Sequence, residues 1–237
     1  MKRIMSKLSL VALAAAAWLM FSAFNLGGGL TDSRDGKSYK TVKIGDKVWM
    51  AENLNFDYNH GSAKSACYEN KLENCAKNGR LYTWSAAMDS AAIFSKDGAR
   101  CGDHGDCSAI GTIRGVCPEG WHLPSREEFY ELSNIAGQAV GDKYKAGLAL
   151  KSKLGWNKNG EKSGNGVDAL GFSALAAGNY YGDGDYVYAE GKVASFWSST
   201  EIASIAAVLL FLHHDSEYAG VYDDNKYFGF SVRCVKN

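Results

Sequence analysis

The chain is predicted to fold as a single mixed α+β domain behind an export segment. Three features carry that prediction: a strand-turn-strand pattern near the start, one strongly capped helix in the middle, and a final third rich in glycine and aromatic residues. Tyr39–Ile44 and Lys47–Leu54 are strand-like, and Gly45-Asp46 between them suits a two-residue type II′ turn. Trp49 and Met50 would anchor this hairpin to the core. Helix is expected from about Tyr82 to Ile93, where Trp84, Ala87, Met88 and Ala91 recur on one face. The best-marked helix starts at Ser125. Ser125-Arg-Glu-Glu128 is a capping box, in which the serine oxygen accepts an N3 amide and the glutamate reaches back to the N-cap amide. Phe129, Leu132, Ile135 and Ala136 then share a face, and Gly137 supplies the stop. A further short helix is expected over Tyr144–Lys151. Beyond it, Gly171-Phe172, Gly178-Asn-Tyr-Tyr181, Phe196-Trp197 and Tyr227-Phe-Gly-Phe230 fit short strands joined by glycine turns. The apolar run Ile205–Leu212 has the length of a buried strand, and Asp223-Asp224-Asn225 reads as a turn with acidic decoration.

Composition sets the class and the compartment. Of 237 residues, 46 % are hydrophobic and 22 % charged, a globular balance, with 26 basic against 26 acidic side chains. Lys2, Arg3 and Lys7 are the only charges before Asp32, so the remainder is slightly acidic and offers no basic surface for nucleic acid. Those three residues precede an apolar run from Leu8 to Phe24, broken only by Ser9 and Ser22 and followed by Asn25–Gly29. This is the layout of a secretory signal over residues 1–29, which leaves 30–237 as one domain. The run is short of the ~20 residues that span a bilayer. Left uncleaved, it would be an N-terminal anchor, the chain's one expected contact with a membrane. All six cysteines lie beyond it, and an even count in an exported chain predicts a disulfide framework. Local closure favours Cys67–Cys75 and Cys101–Cys107, which leaves Cys117–Cys234. Zinc would need C-x-x-C spacing, which is missing.

Seven segments stand in a fixed order: Asp35-Gly-Lys-Ser-Tyr-Lys-Thr-Val-Lys-Ile-Gly45, Val48-Trp-Met-Ala-Glu-Asn-Leu54, Gly79-Arg-Leu-Tyr-Thr-Trp84, Gly115-Val-Cys-Pro-Glu-Gly-Trp-His-Leu-Pro-Ser125, Gly171-Phe-Ser-Ala-Leu175, Phe196-Trp-Ser-Ser-Thr200 and Gly229-Phe-Ser-Val-Arg-Cys234. Together they resemble the Fibrobacter succinogenes major paralogous domain, a large family of exported bacterial proteins, over about residues 32–237. One departure is Asn78-Gly79, where an aromatic residue would be expected before the glycine. Trp121-His-Leu-Pro-Ser-Arg-Glu-Glu-Phe129 and the closing Gly229–Cys234 are more distantly similar to formylglycine-generating-enzyme-like domains. That likeness implies a C-type-lectin-like fold, here with an N-terminal hairpin, two or three helices and a glycine-rich, loop-heavy C-terminal sheet region. It agrees with a Cys117–Cys234 bond between the helix entrance and the last strand.

The sequence points to chemistry only sparsely. Formylglycine generation uses a reactive cysteine pair with copper on thiolates, and here every cysteine has a structural partner in the pairing above. G-x-S-x-G, H-E-x-x-H and phosphate-binding glycine loops are missing. His213-His214-Asp215 is the most visible metal candidate, but adjacent histidines on a strand point to opposite faces, so a solvated strand end and no bound metal are expected. Asp183, Asp185 and Glu190 could gather calcium in a lectin-like loop, although the EF-hand spacing fails at Tyr188 and Ala194. A glycine turn is the default there, and no other cofactor is expected.

Aromatic residues favour binding. Carbohydrate sites stack sugar faces on aromatic rings beside acids and amides. Tyr180, Tyr181, Asp183, Asp185, Tyr186 and Tyr188 offer that set, with Tyr218, Tyr222 and Tyr227 as further supply. Trp49, Trp84, Trp121, Trp156 and Trp197 are assigned to the core. The expected function is that of a non-catalytic binding or interaction module for carbohydrate or protein partners, secreted, periplasmic or at the surface of a bacterium. An enzyme of the formylglycine-generating-like superfold and a structural envelope component are the alternatives.

Overall fold

In the computed structural model, residues 28–102, 104, 105, 107, 109–181 and 186–237 are described. The export segment expected over residues 1–29 lies almost wholly outside them, as do Asp183, Asp185 and the side chain of Tyr186. The expected hairpin forms, although its second strand ends at Met50 rather than Leu54. β1 (Gly29–Thr31), β2 (Ser38–Ile44) and β3 (Lys47–Met50) run antiparallel, and Tyr39, Thr41 and Ile44 are buried, Tyr39 and Ile44 in different cores. Gly45 takes a φ of +60° while Asp46 is not among the positive-φ residues, the pattern of a type II′ turn.

A second small sheet joins β4 (Asn59–His60), β5 (Ala63–Ala66) and β6 (Leu81–Tyr82), with helix α1 (Leu72–Asn78) between the last two. Helix α2 (Trp84–Ala87) is a single turn, against the expectation of helix to Ile93. Asp89 stops it. It is fully buried with a φ of +56°, and its carboxylate accepts from the amides of Ile93, Phe94 and Ser95 at 2.7–2.9 Å and from the Tyr58 hydroxyl at 2.6 Å. The side chain thus offers the backbone partners that a helix would otherwise supply.

Past β7 (Trp121–His122), helix α3 (Arg126–Ala139) begins on the capping box: Ser125 Oγ accepts from the Glu128 amide, and Glu128 accepts from the Ser125 amide. The helix runs through Gly137 rather than stopping there. A Cβ at Gly137 would lie 2.7 Å from the Lys143 Cα, so the glycine permits a close approach of the following turn. Termination falls to Gly141 at φ +71°, whose amide bonds to Gln138 O while that of Asp142 bonds to Gly137 O. Those two bonds form a Schellman motif. Helix α4 (Ala146–Leu150) follows.

β8 (Asn179–Tyr181) pairs with β9 (Tyr186–Tyr188), and β10 (Val193–Ala203), β11 (Ala206–His213) and β12 (Ala219–Asn225) form a three-stranded sheet. The expected turn at Asp223–Asn225 is instead the end of β12, paired to Ala206–Val208. Ladder bonds belong to the backbone, and acidic side chains on an edge strand suit its exposed side. Strand alternation splits the β10–β11 pair between two cores. Trp197 and Leu209 pack with Trp84 and Phe230, while Phe196, Leu210 and Leu212 pack with Trp49, Phe129 and Phe172. All five tryptophans assigned to the core are buried.

The final residues stitch these parts together. Gly229 exchanges backbone bonds with Tyr180, Phe230 with Tyr82, and Ser231 bridges Ser195 and Trp197. Val232 accepts from Leu54 and Cys234 from Met50, before β13 (Val235–Lys236) enters between β3 and β7. Three disulfides close the framework: Cys67–Cys75, Cys101–Cys107 and Cys117–Cys234, and no cysteine is free. Among the described residues, no helix is long and apolar enough to cross a membrane.

One electrostatic contact ties β7 to α3. His122 Nε2 lies 3.0 Å from the Glu128 carboxylate, which Lys47 also meets at 3.2 Å. Burial by itself would raise the Glu128 carboxyl, but His122, the Ser125 amide and Lys47 outweigh it and hold the group at about 2. Burial opposes the His122 cation as well, yet Glu128 leaves it above its ordinary value. An acid held low stabilises the fold above its unfolded pKa, and a base held high stabilises it below its own. The pair therefore contributes most between the ordinary values of 4.5 and 6.5. Urea midpoints are expected to fall as pH drops from 4.5 toward 2, and E128Q should flatten that slope. An equally steep slope in E128Q would assign the acid sensitivity elsewhere.

Candidate functional site

Aromatic side chains form a continuous series from the core to the surface. Buried Trp197 meets Phe230 at 4.4 Å between ring centroids, and Phe230 stacks on Phe228 at 5.7 Å with an interplanar angle of 9°. Phe228 is half-buried and receives Tyr181 edge-on at 5.2 Å and Tyr188 at 6.4 Å. Tyr181 is 53 % exposed and Tyr227, next in chain to Phe228, is 47 % exposed. Local geometry explains the arrangement. Phe228 and Phe230 flank Gly229, and the missing Cβ leaves room for the Tyr180 ring against the backbone. Tyr180 and Tyr181 are neighbours on β8 and point to opposite sides, one inward over Gly229 and one outward onto Phe228.

The sequence-assigned set is thus divided. Tyr181 and Tyr188 share the surface cluster, whereas Tyr180 is 1 % exposed and belongs to the core, with its hydroxyl on Lys64 O at 3.1 Å. That placement corrects its assignment to a ligand face. An amide backs the cluster: Asn179 is buried and its Nδ2 donates to the Tyr188 hydroxyl at 3.4 Å, while its Oδ1 has no hydrogen-bond partner among the described residues. Glu190, the third carboxylate of the calcium set, is engaged by Lys77 and Asn78 at 3.1 and 3.0 Å. Tyr222 lies apart, packed against Phe211. Phe228 is the member that sequence reading missed. The alternation of Phe-Gly-Phe, which puts both phenylalanines on one side of a strand, was the available signal.

Other places among the described residues could hold a ligand. A groove of about 940 Å³ runs between the hairpin and residues 168–175. Its acids are already occupied, Asp168 by the Ser173 amide and hydroxyl and Glu52 by the Lys40 amide at 2.8 Å. At the end of β11, the His213 and His214 rings come within 4.6 Å, and Asp215 hydrogen-bonds to His213. His214 lies one residue beyond the strand, so the rule of opposite faces does not govern the pair.

The model of the Fibrobacter succinogenes major domain matches residues 42–236. The chain belongs to the Fibrobacter succinogenes major domain family. No curated protein and no solved structure matches it. Several segments within the match are scaffold. Val48–Leu54 and Gly229–Cys234 lie side by side through backbone bonds, Trp84 Nε1 donates to Ser198 O, and Trp197 Nε1 to Tyr82 O. Asn78 is buried, and its carbonyl accepts from Asn53. Tyr181, Tyr188 and Phe228 all lie within the matched residues, supported by this scaffold.

Proposed function

We propose that this family member is an exported, non-catalytic binding module of C-type-lectin-like fold that takes an extracellular carbohydrate on Tyr181, Tyr188 and Phe228. The observation that carries the proposal is the exposed end of a rigid aromatic series. Rings fixed from behind by Phe230 and Trp197 present apolar surface without the entropy cost of ordering it on binding. Three disulfides fit an oxidising environment outside the cytoplasm. The lectin-like architecture is supported by the sequence likeness and by long stretches with little regular structure, such as the described residues between 88 and 102 and residues 151–178. The thiolate chemistry of formylglycine generation has no cysteine available to it.

Saturable binding to at least one polysaccharide on a glycan array is expected. Y181A should weaken it about tenfold or more, which corresponds to about 1.4 kcal/mol. Y222A, an exposed tyrosine outside the cluster, should leave it unchanged. Silence across the array, equal loss in both variants, or turnover of a glycan would overturn the proposal.

A further inference from the structure

We propose that His213, His214 and Asp215 form a binding site for a divalent transition-metal ion such as Zn²⁺, Ni²⁺ or Cu²⁺. One ligand atom from each residue lies within 4.8 Å of the others. A tetrahedral ion with bonds of about 2.0–2.2 Å needs donors roughly 3.3–3.6 Å apart, so side-chain adjustments of about an ångström bring the three into range. His213 Nδ1 and Asp215 Oδ1 already share a hydrogen bond, and an ion would take the place of the proton between them. Two imidazoles and one carboxylate favour the later first-row metals over calcium, which takes oxygen donors.

The backbone beneath the three residues is fixed. Lys151, 2 % exposed, donates to His213 O at 3.1 Å and Ser216 O at 2.9 Å, clamping both ends of the turn that carries the ligands. The His214 amide donates to Lys192 O at 2.8 Å, and its Nδ1 lies 3.3 Å from the Asn157 carbonyl. A donor contact of that kind settles which ring nitrogen is left for a metal, the role of an outer-shell partner in known sites. Gly164 lets the neighbouring loop pack close, since a Cβ there would sit 3.0 Å from the His214 Cβ. His213 and Asp215 remain 32 % and 44 % exposed at their side chains, which leaves the remaining coordination positions open to water or to a donor from a partner.

Titration calorimetry of the whole chain with Zn²⁺ and Ni²⁺, after chelator treatment, tests the site. One ion per chain is expected, with affinity falling more than about tenfold in H213N, H214N and D215N. Absence of binding, or equal binding in all three variants, would overturn the proposal. Electron paramagnetic resonance of the wild-type chain loaded with one equivalent of Cu²⁺ gives a readout that does not depend on the variants folding. Hyperfine splitting from two imidazole nitrogens supports the site, and an all-oxygen environment overturns it.

Discussion

Removing the Cys117–Cys234 bond, by replacing both residues with alanine, is expected to lower stability by about 4–5 kcal/mol. The bond closes a loop of 117 residues, and in the chain-entropy model a loop of that length stabilises by about that amount. For a domain of this size the change corresponds to a fall in Tm of roughly 10–20 °C. Alanine is the informative replacement. Both cysteines are fully buried, so serine would add two hydroxyls that need partners in the core and would blur the comparison. The paired control is C67A/C75A, whose separation is 8 residues and whose expected loss is about 2–3 kcal/mol. Differential scanning calorimetry under non-reducing conditions separates the two. If both variants lose the same amount, the stabilisation does not come from loop closure. Position reinforces the larger effect, because Cys234 lies in the segment that bonds to β8, β6, β10 and the hairpin in succession.

Local grammar was legible in the sequence wherever a short motif settled the backbone. Gly45-Asp46 dictated its turn, and Ser125 with Glu128 dictated the start of α3, because the partners lie within three residues of each other. The run beginning near Ile205 proved to be β11, since an apolar run among glycine turns has few other uses. The failures share one cause. The periodicity over Tyr82–Ile93, Gly137 and Asp223–Asn225 each looked like a local signal, yet the outcome depends on partners outside the motif: Tyr58 for the Asp89 that ends α2, Lys143 for Gly137, and Ala206–Val208 for the end of β12. Helix α1 gave no signal of its own, because its apolar content is limited to Leu72, Cys75 and Ala76, and Leu72 is exposed. The candidate site divides in the same way. Alternation along β8 required Tyr180 and Tyr181 to face apart, but which one faced inward was set by Gly229, almost fifty residues later.

Arg233 is the other residue whose loss should be severe, and its case turns on which partners remain. Its guanidinium is fully buried. Nε donates to Asn53 Oδ1 at 2.7 Å, one terminal nitrogen to Phe172 O and the other to Ser173 O at 2.9 Å. Phe172 and Phe196 lie with their rings 4.4 and 5.2 Å from its central carbon. Burial pushes the group down to about 9, opposed only through space by Asp168 and Glu52, so the cation costs the fold something even at neutral pH. Replacing a buried charge with a hydrophobic residue can be neutral when every partner is replaced too. Here two of the three acceptors are main-chain carbonyls, which no substitution removes. R233M relieves the desolvation of the charge but leaves three acceptors, two buried and that of Ser173 part-buried, without their donors, each worth about 1–3 kcal/mol. The unmet acceptors should win, with a net loss of at least about 3 kcal/mol in urea unfolding. R233K keeps the charge, but its single nitrogen cannot span the fork of acceptors, so its loss should be intermediate. The geometry requires the order wild type, R233K, R233M. An R233M as stable as wild type would mean that Phe172 and Ser173 find other donors, and that the tie between the last strand and the 168–175 loop rests on packing alone.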